Sequence, residues 1–288
     1  MIVTKLMGGL GNQMFQYSLG RRLAHERGVP LKLDLSWFGN PNEIGDDTVR
    51  QYALDGWRIQ ASIATAEDLA SFSPQGGLLA RLRLVNSPVV RDRARGFERS
   101  VLRLPSHVHL TGYWHSEKYF KTIREILLRD FTLSAAPCPH VVELLNRVEG
   151  SPAVAIHVRR GDYAENPRTN EFHGLCPIEY YQEAVQLIAD RVADPSFFVF
   201  SDDPDWVQEN LKLAWPTTYV THGANCSPHQ DMWLMSHCAH HIIANSSFSW
   251  WGAWLCRNEG QVVIAPARWY RDTKYNTDDI TPKGWIRI

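Results

Sequence analysis

The chain has 288 residues, with 30 basic side chains against 31 acidic ones and a formal net charge of −1. No global field therefore draws it toward nucleic acid or anionic lipid. It is 44% hydrophobic and 21% charged, an ordinary globular balance with room for one large or two medium domains.

The five cysteines (Cys138, Cys176, Cys226, Cys238 and Cys256) are odd in number and scattered, without a Cys-x-x-Cys pair. This argues against a disulfide framework or zinc ribbon and for a reducing compartment. The first residues, Met-Ile-Val-Thr-Lys-Leu, lack the basic region and apolar run of a signal peptide, and no apolar stretch reaches the roughly 20 residues that span a bilayer. The expectation is a cytoplasmic protein, with peripheral attachment to a membrane's inner face as the alternative. Eleven Trp are an excess and hint weakly at sugar-stacking walls.

In chain order, residues 2–6 read as a short strand. Gly8-Gly9-Leu10-Gly11 is a turn of small residues, and residues 12–27 form a helix with Phe15, Leu19 and Leu23 at spacing four. Gly28-Val29-Pro30 ends that helix, and residues 31–35 are the next strand. Residues 36–107 carry little pattern. Seven Arg between Arg81 and Arg103 form either a solvated face or a patch for an anionic acceptor or membrane surface. A helix returns over 118–129. Beyond 150 strands (153–158, 197–200, 217–220, 241–244, 262–265) alternate with helices (177–191, 204–213, 230–238, 248–257). That alternation predicts a doubly wound parallel sheet, whose ligands sit beyond the carboxyl ends of the strands.

The residues following each strand are therefore the candidate site. After the first strand, glycines allow close backbone approach and a helix start favours anions. Gly11, Asn12 and Gln13 sit there. A dinucleotide reading would use Gly9 and Gly11 with Asp34 on the next strand, but the third glycine position is Met14. After residues 153–158 come Arg159, Arg160, Gly161 and Asp162. Period-two alternation puts His157 and Arg159 on one face and Arg160 on the other. Paired guanidinium forks suit a diphosphate, and an Arg–Asp structural pair with Asp162 is the alternative. Asp203-Pro204-Asp205 matches the Asp-x-Asp metal pattern in form, yet reads as a helix start where Pro and acids are at home. Asp202, at the strand end itself, is placed to accept hydrogen bonds from a guanine base or ribose. Asn245, Ser246, Ser247 and Ser249 surround another helix start, and exceed what one N-cap needs. The cluster His237-Cys238-x-His240-His241 straddles a helix end and a strand start, a poor arrangement for converging metal ligands. Neither a phosphate loop with Gly-Lys-Ser/Thr nor a Gly-x-Ser-x-Gly elbow occurs.

Four motifs carry a family resemblance: Gly8-Gly9-Leu10-Gly11-Asn12-Gln13-Met14-Phe15-Gln16-Tyr17, His157-Val158-Arg159-Arg160-Gly161-Asp162-Tyr163, Phe200-Ser201-Asp202-Asp203-Pro204, and Asn245-Ser246-Ser247-Phe248-Ser249-Trp250-Trp251-Gly252-Ala253-Trp254. Together they resemble the bacterial α-1,2-fucosyltransferases of glycosyltransferase family eleven. The resemblance implies an α/β, GT-B-like fold: two Rossmann-like doubly wound domains facing a cleft. Residues 1–150 would form the acceptor-side domain and residues 151–288 the GDP-fucose-binding domain. It implies inverting transfer of fucose from GDP-fucose to a glycan hydroxyl, with O2 of a galactose the expected position, and no metal or other cofactor. The acceptor would be a polysaccharide unit, a lipid-linked glycan or a free galactoside.

By the same resemblance Arg159 contacts the diphosphate, and Asn12, Gln13, Gly11, His157, Arg160, Asp202, Ser246, Ser247 and Ser249 line the sugar-nucleotide site. Asp162 is the leading candidate for the general base that deprotonates the acceptor, with Glu171 and His173 behind it; equally, Asp162 would orient Arg159. An NAD-dependent oxidoreductase and a non-catalytic sugar-nucleotide-binding module are the competing readings.

Overall fold

The computed structural model describes residues 1–40, 49–72, 88–92, 96–221, 226–272 and 277–288. It contains two compact units, residues 1–131 with 278–280, and residues 132–277 with 281–288. The division thus falls at Phe131, not at 150. The helix Pro139–Glu149 buries Val141, Leu144 and Val148 in the second unit's core, which is why the boundary lies ahead of it.

The first unit opens with β1 (Ile2–Lys5) and α1 (Leu10–Arg27), followed by β2 (Leu31–Asp34), β3 (Ser62–Ile63), α2 (Ala66–Ala70), β4 (Val89–Arg91), β5 (Val108–Thr111) and α3 (Arg124–Asp130). Its strands form a parallel sheet in the order β3-β2-β1-β5-β4. Gly28 ends α1 in the left-handed region (φ 61°), its amide returning to Ala24 and His25 carbonyls, a conformation that glycine adopts without a Cβ penalty. The expected helix over 118–129 is broken. Two 3-10 turns, Glu117–Tyr119 and Lys121–Ile123, precede α3, and Phe120 between them leaves helical geometry at φ −144°. One buried network crosses this unit. The Tyr17 hydroxyl donates to Asp130 at 2.6 Å and accepts from the Gln60 amide at 2.9 Å, while Arg21 donates to the same Asp130 oxygen at 2.8 Å.

The second unit runs α4 (Pro139–Glu149), β6 (Ala153–Val158), α5 (Gly161–Glu165), α6 (Pro167–His173), α7 (Ile178–Ala189), β7 (Ser196–Ser201), α8 (Pro204–Asn210), β8 (Thr217–Tyr219), α9 (Pro228–His237), β9 (His240–Ile242), α10 (Ser247–Trp254), β10 (Val263–Ala265) and β11 (Ile286–Arg287). Its parallel sheet has the order β11-β10-β9-β6-β7-β8. Alternation along β6 builds two cores. Val154, Ile156 and Val158 pack with Tyr180, Tyr181, Ala184 and Val185 of α7. Ala153 and Ala155 pack with α4 and with Leu234 and Met235 of α9.

The Trp hint dissolves here. Trp37, Trp57, Trp114, Trp250, Trp251, Trp254 and Trp269 are all buried, so most of the excess is core. Of the seven Arg between 81 and 103, Arg81, Arg83, Arg93 and Arg95 lie outside the described residues.

Strand order locates the ligand edges. In the first sheet the winding reverses between β1 and β5; in the second it reverses between β6 and β9. Open α/β sheets bind ligands beyond the carboxyl ends of the strands at such a switch point.

Candidate active site

At the switch point of the second unit β6 ends in Arg159, whose guanidinium lies between two carboxylates. One of its terminal nitrogens meets Asp202 Oδ2 at 2.6 Å, and the other is in contact with Asp162. The Tyr163 ring lies 5.2 Å below the guanidinium carbon. Arg160 faces elsewhere, as alternation predicted. Its Nε donates to Asp203 at 3.0 Å and its guanidinium stacks on Trp206 at 3.7 Å, which commits it to α8.

Both carboxylate oxygens of Asp202 are engaged within the chain. One oxygen takes Arg159 and the other accepts the Arg160 backbone N–H at 2.8 Å. The carboxylate expected to read a guanine edge is thus already an arginine holder. Gly161 makes this approach possible, because a Cβ there would overlap Asp202 Oδ2. The Ser201 hydroxyl donates to the Val158 carbonyl at 2.9 Å and accepts the Asp203 N–H at 3.0 Å, strapping the ends of β6 and β7 together. Two arginines here face three carboxylates (Asp162, Asp202 and Asp203), so the cluster neutralises its own guanidinium charge.

Asp203 and Asp205 behave as a helix start. Asp203 caps α8, accepting from the Trp206 N–H. The ring nitrogens of the histidine cluster face different backbone partners: His237 with Trp233 O, His240 with Val262 N and His241 with Met235 O. They do not converge.

His157 is buried, and its Nδ1 has no hydrogen-bond partner among the described residues. Burial drives its pKa down to about 4; the Asp202 carboxylate opposes the shift and the Arg159 guanidinium adds to it. The imidazole is therefore neutral near pH 7 and is no cation for a phosphate. Its ring lies 5.4 Å from Phe248 of α10.

Across the switch point, the four polar residues before and within α10 separate into two kinds. Asn245 donates to the His173, Gly174 and Trp269 carbonyls at 2.9, 3.2 and 3.3 Å, which makes it a clamp. Ser246 is the N-cap, accepting from the Phe248 N–H. Ser249 is wholly buried and its hydroxyl donates to the Ser246 and Ala244 carbonyls, so the expected anion contact from that side chain is withdrawn. Ser247 remains half-buried at the first turn, beside the amides that a helix start leaves open. Glu171 is exposed on α6, while the His173 ring stacks on Tyr163 at 4.5 Å.

At the switch point of the first unit, Gly8 holds φ 73° and a Cβ there would meet Asn12 Nδ2 at 2.6 Å. Asn12 Oδ1 pairs with His115 Nε2 at 3.0 Å, and His115 stacks on Tyr113. Between those two rings Trp114 takes φ 57°, a strained conformation for a bulky residue. Gln13 donates to the Gly8 and Gln51 carbonyls and accepts from the Ala53 N–H, each at 2.9 Å. Gln13 therefore fastens the turn to the chain at 51–53, with both amide protons given to backbone carbonyls, which is a structural use of the side chain. Gly11 is buried in the first turn of α1. Asp34, the residue a dinucleotide ribose would need, is buried against His109 at 3.1 Å and the Ser36 N–H at 2.9 Å, which removes the main support for the oxidoreductase reading.

Sequence reasoning missed His115, Tyr163 and Trp206. Only Tyr163 carried a signal, through its place in the arginine motif.

Two parallel α/β units, each with polar residues collected at a switch point, form the GT-B architecture of glycosyltransferases. The chain belongs to glycosyl transferase family 11, whose model matches residues 92–288. It is 33% identical to an Escherichia coli alpha-1,2-colitosyltransferase over 100% of this chain and 98% of the relative. It is 31% identical to the Sus scrofa galactoside alpha-(1,2)-fucosyltransferase 2 over 88% of this chain and 69% of the relative. In fold it is similar to a mutant of Arabidopsis thaliana FUT1 solved with GDP: TM-score 0.53 and 12% identity, covering 98% of this chain and 74% of that one. The family read from the four motifs is thereby upheld. Among the described residues no helix is long and apolar enough to cross a membrane.

Proposed function

We propose that this glycosyltransferase moves L-fucose from GDP-fucose, with inversion, to a hydroxyl of a glycan acceptor, O2 of a galactose. The observation that carries the reading is Arg159, four-fifths buried at the end of the central strand and gripped by Asp162 and Asp202. As the sugar–oxygen bond breaks, the ring gains oxocarbenium character and negative charge builds on the β-phosphate. A guanidinium held in place by carboxylates meets that charge without reorganising. The open amides at the start of α10 would add to it. We infer that this electrostatic stabilisation replaces a metal, so that activity persists in EDTA.

The acceptor hydroxyl loses its proton to a carboxylate within reach. Asp162 is already paired with Arg159, which favours an orienting role for it. Glu171 is then the next candidate for the base.

A second sugar is supported by one finding, the full-length relative that transfers colitose. Colitose is fucose without its 3-hydroxyl, so both sugars present the same 2-position and leaving group. The test is a panel of GDP-fucose and GDP-colitose against β-galactosides, with GDP release followed, EDTA in one arm and the product linkage read by NMR. Acceptor-dependent GDP release and an α-1,2 linkage are expected from GDP-fucose. GDP release that ignores the acceptor, or none from either donor, would overturn the reading.

A further inference from the structure

Two cysteines that play no part in the proposed reaction meet in the second unit. Cys138 is the residue that precedes α4, and Cys226 lies just ahead of α9, 88 positions away. Their sulfurs are 2.7 Å apart and neither is in a disulfide. Both are partly exposed, whereas Cys238 and Cys256 are buried. Two further bonds hold the same segments together. The Cys138 N–H donates to Gln230 Oε1 at 3.2 Å, and His140 Nε2 pairs with the Thr221 carbonyl at 3.2 Å. Because α4 runs back toward the start of β6, its own start lies at the carboxyl edge of the sheet, where the chain also leaves β8.

The geometry points to Cys138 and Cys226 as a reversible thiol–disulfide site on the ligand-side rim of the second unit, with a small-molecule disulfide such as oxidised glutathione as its oxidant. From 2.7 Å the sulfurs need to close by only about 0.7 Å to reach bonding length. Cys138 is the attacking thiol. Burial by itself would push it up, but the hydrogen bond with Cys226 and the N–H groups of Val141 and His140 outweigh this and hold it below the usual thiol range. A thiol at a helix start is stabilised as thiolate in this way.

The steps balance. Cys138 loses its proton to solvent, and its thiolate attacks one sulfur of oxidised glutathione. That disulfide bond breaks, one glutathione thiolate leaves, and a mixed disulfide forms on Cys138. Cys226, deprotonated in turn, attacks the Cys138 sulfur and expels the second glutathione thiolate. Two protein thiols are oxidised by two electrons, and one glutathione disulfide is reduced to two thiols. Excess dithiothreitol reverses both steps.

The test uses the full-length protein, incubated with millimolar oxidised glutathione at pH 8, quenched with N-ethylmaleimide and mapped by tryptic mass spectrometry, beside a sample returned to dithiothreitol. Expected is a peptide pair joined through Cys138 and Cys226, loss of those two alkylation sites, and full recovery on reduction. In Cys226→Ser the cross-link should be absent and a glutathione adduct should persist on Cys138. In the unmutated protein, a lasting adduct on Cys138 without cross-link, or both thiols alkylated as if glutathione had not been added, would overturn the proposal. Because that protein carries the decisive measurement, misfolding of a variant does not spoil the test.

Discussion

Arg159→Lys separates charge from geometry at the centre of the proposed mechanism. Lysine keeps the positive charge, but one ammonium cannot span Asp162 and Asp202 as the guanidinium fork does. In the unliganded protein the loss is about one charge-assisted hydrogen bond, about 1.5–3 kcal/mol. At about 2–4 °C per kcal/mol for a chain of this size class, the melting point should fall by roughly 3–12 °C. In the transition state the fork would also be missing from the β-phosphate. Removing one such preorganised donor costs about 2.7–4 kcal/mol, or roughly 10²- to 10³-fold in kcat. The assay is acceptor-dependent GDP release under initial-rate conditions, with GDP affinity by calorimetry and melting followed in parallel. The rate should fall well beyond what the unfolded fraction explains. A kcat/KM within about threefold of the parent, whatever the melting point, would refute the diphosphate role and leave Arg159 as a structural link between strand ends.

Three further outcomes are expected. Asp162→Asn weakens the hold on Arg159, so GDP affinity and turnover should fall together; unchanged GDP affinity in calorimetry with turnover abolished would instead make Asp162 the base. Tyr17→Phe leaves the buried Asp130 and the Gln60 N–H each short of a partner, and should cost about 1–3 kcal/mol in urea unfolding while activity of the folded protein is kept. His157 and His241 both have pKa values lowered to about 4, burial being the largest cause. The unfolded chain therefore takes up two protons near pH 6.5 that the folded chain refuses. Stability from this source is complete above pH 6.5, falls as pH drops toward 4 at up to about 2.7 kcal/mol per unit, and levels off below that. Denaturation midpoints between pH 7.5 and 3.5 check it, and His241→Gln should roughly halve the slope.

Much of this protein can be read from residue order alone. Hydrophobic runs separated by helical spacing give the parallel sheet of the second unit, because a strand buried on both faces needs a continuous apolar run, as in β6. Glycines, arginines and hydroxyls directly after strands mark the ligand edge, because that edge is set by chain direction. The strands β3 and β11, of two residues each, carry no such signal.

What residue order does not contain is which polar groups are already spent. Gln13, Asp202, Asn245 and Ser249 look like ligand contacts in the chain, yet the fold uses them against backbone carbonyls, amides and arginines. A buried polar group must find a partner, and for two of these a partner lies far off in sequence: 38 residues away for Gln13 and 72 for Asn245. The same holds for Asn12 with His115 across 103 positions and for Cys138 with Cys226 across 88. Local pattern determines where the strands end and which residues gather there; only the folding of distant segments onto those ends decides which side chains remain to meet a substrate.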